Sequence, residues 1–274
     1  MIENAKVSVI MGIYNCADTL PKAVDSIIAQ TYEDWELIMC DDASTDNTYK
    51  IAQEYRDKFP EKIILIRNEK NSRLSYTLNH CLKYATGKYI ARMDGDDISK
   101  PQRFERQIKY LKEHPNVDLV GTAMQRFNEL GLADILWPEE HPDKYMLRKG
   151  VTFLHATIMT YKYVYDRLKG YTISERTKRS QDYDLWFRFY AEGFKGDNIL
   201  EPLYLVKEDI GAIKRRTFSN RINIFKTTYF GFNLLGFPKW WLIQCALEMV
   251  VKSIIPSKIF YLYREYEKNK FNNK

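Results

Sequence analysis

Arg92-Met93-Asp94-Gly95-Asp96-Asp97 decides how this chain is read. Apolar Tyr89-Ile90-Ala91 runs straight into it, so a buried strand ends in three carboxylates within four positions. Like charges this close repel and raise one another's pKa unless a cation holds them together. Hard carboxylate oxygens suit Mg²⁺ or Mn²⁺, which bridge protein carboxylates to substrate phosphates. The stretch predicts a metal–diphosphate site at the carboxyl end of a strand. The plainer alternative is an acidic turn capping the next helix, with Ser99 or Asp97 as N-cap before Pro101.

Upstream, Val7 to Met11 reads as a short β-branched strand that breaks at Gly12, with a loop at Asn15 and Asp18. Leu20, Val24, Ile27 and Ile28 then fall at helical spacing, with Asp18 or Thr19 as N-cap and Pro21 in the first turn. Trp35 to Cys40 is a second strand, ending in Asp41-Asp42, and Ser44 or Asp46 caps a helix through Ile51, Ala52 and Tyr55. Lys62 to Ile66 is a third strand, 75–85 a third helix stopped by Gly87, and the fourth strand enters the acidic cluster. Repeated strand–helix alternation implies a Rossmann-like, mainly parallel α/β sheet covered by helices. Ligands bind such sheets beyond the carboxyl ends of the strands. Three strand ends, at Tyr14-Asn15, Asp41-Asp42 and Asp94 to Asp97, should therefore meet in one crevice. No dinucleotide fingerprint or P-loop follows the first strand.

Downstream, an amphipathic helix presents Phe104, Ile108 and Leu111 inward, and Val117 to Gly121 is a further strand. Residues 122–150 are less regular. Phe153 to Met159 reads as a strand carrying His155. A helix opens at Ser180-Gln181-Asp182 and runs to about Ala191, packing through Leu185, Phe187 and Phe189 or Tyr190. Asp182 falls in its first turn, where the helix dipole favours a carboxylate.

Charge divides the chain. Residues 1–210 hold 30 Lys/Arg and 33 Asp/Glu, whereas 211–274 hold 12 and 3, so the excess of +9 belongs to the tail. Cys16, Cys40, Cys81 and Cys245 show no paired spacing, which argues against a zinc site or disulfide framework and fits a reducing compartment. Neither a signal peptide nor a spanning helix is expected. In the tail, Gln244, Glu248 and Lys252 form one stripe of a helix. Trp241, Leu242, Cys245, Leu247, Met249 and Val250 lie opposite. Amphipathic character, tryptophan and cationic flanks suit an anionic membrane surface, while packing on the chain itself or on a second copy (a homodimer) is the alternative. The expected organisation is a catalytic domain over 1–210 and a basic helical extension over 211–274.

Taken together, several segments resemble glycosyltransferase family 2, whose members have the GT-A fold. They are Val7 to Asn15, Asp41 to Asp46, Asn71-x-x-Leu74 with Leu78-Asn79, Ala85-x-Gly87-x-Tyr89-Ile90, Asp94-Gly95-Asp96-Asp97 and Gln181 to Trp186. The resemblance covers about 5–210 and implies transfer of a sugar from a nucleotide sugar, usually a UDP-sugar, with inversion. It implies that Gly12, Ile13, Tyr14, Asn15, Asp41 and Asp42 hold the nucleoside, with Asp42 at the base. Asp94-Gly95-Asp96 matches the D-x-D motif: Asp94 approaches ribose or metal, Gly95 lines the nucleotide-sugar site, and Asp96 ligates Mn²⁺ or Mg²⁺. Asp182 matches the catalytic aspartate. His155, Gln181 and Trp186 are candidate donor or acceptor contacts.

Three positions depart from the family pattern. Gln181 replaces the usual glutamate, Arg73 replaces a glycine where a guanidinium can reach the donor, and 211–274 hold no metal-binding histidine. Lys214, Arg215 or Arg216 would then neutralise the diphosphate. The implied acceptor is a saccharide or lipid-linked saccharide of bacterial surface polysaccharide, handled at the cytoplasmic face of the plasma membrane, with no nucleic-acid partner. A sugar-phosphate nucleotidyltransferase and a catalytically silent binding module are the competing readings.

Overall fold

The computed structural model describes residues 5–129, 131–150, 152–208 and 217–254, the last four by backbone alone. The chain forms two compact units. One comprises 1–173 and 181–208, the other 174–180 and 209–274.

In the first unit, strands β1 (Val7–Ile13), β2 (Trp35–Asp41), β3 (Ile63–Arg67) and β4 (Tyr89–Asp94) alternate with helices α1 (Leu20–Ile28), α2 (Thr48–Lys58) and α3 (Arg73–Leu82). All four strands pair in parallel, in the order β3-β2-β1-β4. β1 and β2 are buried on both faces, as expected of near-continuous apolar runs in a parallel sheet. α1 buries Leu20, Ala23, Val24 and Ile27, one stripe at 3.6-residue spacing, against the sheet. Register brings the strand ends together: Gly12 is paired with both Cys40 and Asp94, and Ile13 with Asp41.

The second half of the sheet differs from the sequence reading. The strand expected at 117–121 is β6 (Leu119–Asn128), which forms a hairpin with β7 (Gly131–Leu136) inside the stretch read as irregular. Phe153 to Met159 is not a strand. It is a 3-10 turn at His155–Thr157 followed by the short β8 (Met159–Tyr161), antiparallel to both β4 and β6. Two polar residues explain this. α4 (Arg103–Glu113) buries Arg103 and Gln107 beside Phe104, Ile108 and Leu111. Gln107 Nε2 donates to Thr157 O (2.8 Å) and Val120 O (2.9 Å), and Arg103 Nη2 donates to Arg92 O (2.9 Å) and Ile158 O (3.3 Å). Gln107 thus satisfies the Thr157 carbonyl in the 3-10 turn, while Ile158 O also accepts from Arg92 N of β4 (3.1 Å).

α4 is preceded by Gln102, so neither Ser99 nor Asp97 caps it; both lie in or beside the two-residue β5 (Ile98–Ser99). α5 (Lys162–Leu168), α6 (Gln181–Ala191) and β9 (Gly196–Lys207) complete the unit. β9 runs parallel to β6 and antiparallel to β5, and a register shift near Pro202 accommodates a residue without an amide proton.

The second unit contains a 3-10 turn (Glu175–Thr177), α7 (Phe218–Leu234) and α8 (Trp240–Ile254). Thr227 Oγ1 on α7 donates to Arg176 O (3.0 Å), and the Arg176 guanidinium lies 4.1 Å from the Phe230 ring centre. α8 packs on α7 through Trp241, which meets the rings of Phe237 and Phe232. The apolar face expected of this helix is divided. Trp241, Leu242, Cys245 and Met249 are half-buried, whereas Leu247 and Val250 are exposed. Lys214, Arg215 and Arg216 lie outside the described residues.

Candidate active site

The loop after β1 is stitched to the loop after β2. Asn15, in the left-handed conformation (φ 46°), accepts from Thr45 N through Oδ1 (2.9 Å) and donates its amide to Ser44 Oγ (3.0 Å). Cys16 N and Ala17 N reach Thr48 Oγ1 (2.7 Å) and Asp46 Oδ2 (3.2 Å). The exposed Tyr14 stands at the head of this seam. Gly95 closes on the same loop. A Cβ there would lie 3.0 Å from Ile13 Cγ2 and 3.1 Å from Cys16 Sγ, so the acidic turn sits against the end of β1.

Asp41 and Asp42 have different jobs. Asp41 is wholly buried, pairs with Arg67 Nε (2.9 Å) and accepts from Ser44 N (3.2 Å). Asp42 accepts from Asn68 Nδ2 (2.7 Å) and Ser72 N (2.8 Å) on one oxygen and from Arg73 N (2.8 Å) on the other. It thereby shapes the 68–73 loop. Arg73 is exposed and has φ 70°, a backbone region that favours glycine, so its side chain is presented at the cost of strain.

The acidic cluster is real in space as well as in sequence. Asp94, Asp96 and Asp97 each offer an oxygen within 4.8 Å of the others. Asp94 makes a bidentate ion pair with the buried Arg92. Asp97 accepts from Tyr204 OH (2.9 Å) and Lys207 N (2.8 Å), and Tyr204 OH in turn accepts from Asp94 N (3.1 Å). Asp96 is the exposed member. Burial first, and then the charge of Asp94, push Asp96 and Asp97 above the usual carboxylate range, Asp97 well above it. Hard oxygen donors whose mutual repulsion raises their pKa values fit a divalent cation.

Asp182 sits in the first turn of α6, and its Oδ1 accepts from Tyr183 N (2.8 Å). Burial raises its pKa, with the positive charge of Arg92 opposing. The next carboxylate, Asp184, is structural: it is buried and accepts from Arg188 Nε (2.8 Å) and Thr172 Oγ1 (2.6 Å). Gln181 opens the helix.

His155 shares a hydrogen bond with Tyr171 OH (2.8 Å), and burial holds it neutral, well below the usual imidazole pKa. Asn79 fixes Tyr171 from both sides, accepting from its N (2.7 Å) and donating to its O (2.8 Å). Trp186 is 0% exposed among Phe153, Phe189 and His155. Its indole N–H is buried without a hydrogen-bond partner among the described residues. Tyr204, Arg103 and Asn68 escaped the sequence reading. The strand that carries Tyr204 is interrupted by Pro202, and a buried arginine without a carboxylate partner leaves no pattern.

A parallel sheet with converging strand ends, three clustered carboxylates and a buried aspartate at a helix start define a GT-A glycosyltransferase architecture. The chain belongs to glycosyl transferase family 2, whose description matches residues 8–167. EpsE of Bacillus subtilis (strain 168), which carries the name of a glycosyltransferase, is 44% identical over 97% of this chain and 95% of its own. The Escherichia coli enzyme WfaP, named a UDP-Glc:alpha-D-GlcNAc-diphosphoundecaprenol beta-1,3-glucosyltransferase, is 28% identical over 81% of this chain and 86% of its own. The crystal structure of S. aureus TarS 1-349 with UDP-GlcNAc shares the fold at TM-score 0.69 and 17% identity, covering 89% of this chain and 71% of that one.

Proposed function

We propose that the protein is an inverting glycosyltransferase that moves a sugar from a UDP-sugar to a hydroxyl of a saccharide or lipid-linked saccharide in bacterial surface polysaccharide assembly. The observation that supports this reading is the Asp94-Asp96-Asp97 cluster at the end of β4, whose oxygens lie within 4.8 Å of one another, in the same compact unit as Asp182 in the first turn of α6. The activity in the name of WfaP, a UDP-sugar donor with a diphosphate-lipid acceptor, supports the substrate class.

In this reading Gly12 to Asn15, Asp41, Asp42, Arg73, Asp94 and Gly95 enclose the nucleotide sugar. Asp96, with Asp94 and Asp97, holds Mn²⁺ or Mg²⁺. A bound divalent ion supplies neutralisation of charge developing on the departing diphosphate. Asp182 takes the proton from the acceptor hydroxyl as its oxygen bonds to the anomeric carbon, and the bond from that carbon to the diphosphate oxygen breaks. One displacement with one base inverts the centre. Residues 1–210 form the catalytic domain. Residues 211–274 form an extension that keeps the enzyme at the cytoplasmic face of the membrane, with a homodimer contact as the alternative.

The test is a screen of nucleotide sugars for binding and slow hydrolysis with Mn²⁺ or EDTA, using wild type and Asp96→Ala. Metal-dependent binding of one donor, lost in Asp96→Ala, is expected. Its absence for every nucleotide sugar would overturn the reading, and binding without any turnover would favour a silent binding module.

A further inference from the structure

We propose that Asn68 is a positioning residue that sets which nucleobase the site accepts, by fixing the Asp42 carboxylate with a single acceptor position left open. The inference rests on the reading of Asp42 as the group that meets the base. Asn68 is buried just beyond β3, and its backbone amide donates to Asp41 O (2.8 Å) at the end of β2. Its Nδ2 donates to Asp42 Oδ1 (2.7 Å) and to Thr77 Oγ1 (3.1 Å). Its Oδ1 lies 2.9 Å from His80 Nδ1 and accepts from Cys40 Sγ (3.5 Å).

Charge fixes the direction of this chain of hydrogen bonds. An ionised carboxylate only accepts, so Asn68 turns its NH2 to Asp42 and its oxygen to His80. His80 then carries a proton on Nδ1 and donates it. Thr77 Oγ1 is committed as well: it donates to Arg73 O (3.0 Å), so toward Asn68 it accepts. The reversed amide would set its oxygen against a carboxylate and against a hydroxyl whose proton is already used.

Counting acceptor positions at Asp42 gives the selectivity. A carboxylate has about four lone-pair positions. Oδ1 accepts from Asn68 Nδ2 and Ser72 N, and Oδ2 accepts from Arg73 N. Among the described residues, one position stays open, on Oδ2. It matches a base with one ring N–H between two carbonyls, as in uracil. Guanine presents two adjacent N–H donors and needs both oxygens. Cytosine presents a bare ring nitrogen, which meets the carboxylate lone pair to lone pair. A site built around a fixed hydrogen-bonding group rejects an analogue that lacks the matching partner. Asn68 acts on the base only through Asp42.

The experiment is calorimetric binding of UDP, CDP and GDP, each with Mn²⁺, to full-length wild type, Asn68→Ala and His80→Ala. Wild type should bind UDP at least about tenfold tighter than CDP or GDP. In Asn68→Ala the Asp42 carboxylate is free to turn, so this preference should fall at least about fivefold, mostly through weaker UDP binding. His80 is half-buried, and its alanine variant removes only the donor that orients the amide. It should move the preference the same way by about two- to threefold, and it carries the test where Asn68→Ala does not fold. A merely loosened structure would weaken all three nucleotides alike, so the ratio is the readout. A wild type that binds CDP or GDP as tightly as UDP would overturn the inference and leave the transferase reading intact. So would an unchanged ratio in Asn68→Ala or, where that variant does not fold, in His80→Ala. Failure of wild type to bind any of the three would overturn both.

Discussion

Tyr204→Phe tests how the acidic cluster is held. The Tyr204 ring is fully buried, with the Arg103 guanidinium 5.0 Å from its centre, so phenylalanine keeps the packing and deletes only the hydroxyl. That hydroxyl donates to Asp97 Oδ2 at 2.9 Å and accepts from Asp94 N at 3.1 Å. Burial, and the charges of Asp97 and Asp94, push its pKa well up, so it remains a donor at any working pH. A hydrogen bond to a charged group is worth ~1.5–3 kcal/mol, and an orphaned buried amide costs ~1–3 kcal/mol. Allowing for relaxation, the variant should lose about 2–4 kcal/mol. In a unit of this size that is roughly 5–12 °C in midpoint temperature. Urea unfolding and a thermal scan of the metal-free protein check the stability. Titration with Mn²⁺ in the presence of UDP should show weaker binding, since Asp97 has lost a donor to its ionised form. A stability change under about 0.5 kcal/mol, with Mn²⁺ binding intact, would mean that Tyr204 does not organise the cluster.

Other outcomes follow from the same geometry. Asp182→Asn should lower kcat by roughly 10²–10⁴ and leave UDP binding intact, as read in a transfer assay. The same variant should be more stable than wild type at neutral pH. Asp182 has a raised pKa, so its ionised form is penalised in the folded state; the gain appears as pH rises from the unfolded value and is complete above the folded one. For wild type, a base with a raised pKa places the acid limb of the kcat profile above the ordinary carboxylate range. An acid limb at ordinary carboxylate pH would argue against Asp182 as the base. Arg73→Gly should raise stability by about 1 kcal/mol by relieving a left-handed backbone, and weaken UDP-sugar binding. A variant that is stabilised with unchanged donor affinity would show that the guanidinium does not touch the donor.

The half of the molecule that makes the crevice was legible because its signals are local. β-branched runs, helical stripes and polar strand ends each occupy a few consecutive residues, and parallel pairing aligns Ile13 with Asp41 and Gly12 with Asp94 automatically. The other half depends on long-range exchange of polar groups, which leaves no periodicity. Arg103 and Gln107 sit on the buried stripe of α4 yet look like solvent residues in sequence. Their donors reach the carbonyls of Thr157 and Ile158, in and just after the 3-10 turn that stands in place of the expected strand. Trp186 belongs to a motif segment but serves the core. On α8, sequence alone gave amphipathicity, while the choice of which apolar side faces α7 depends on Phe232 and Phe237.

The tether on Asp97 also sets a timetable for synthesis. Its two partners, Tyr204 and Lys207, follow 107 and 110 residues later in the chain. At roughly 5–20 residues per second on the ribosome, three carboxylates emerge on the order of ten seconds before the groups that hold them. A fragment cut at residue 167, where the family match ends, stops 40 residues short of Lys207. Such a fragment would carry every acidic residue of the cluster and lack the hydroxyl and amide that set them, so expression boundaries for this enzyme belong beyond β9.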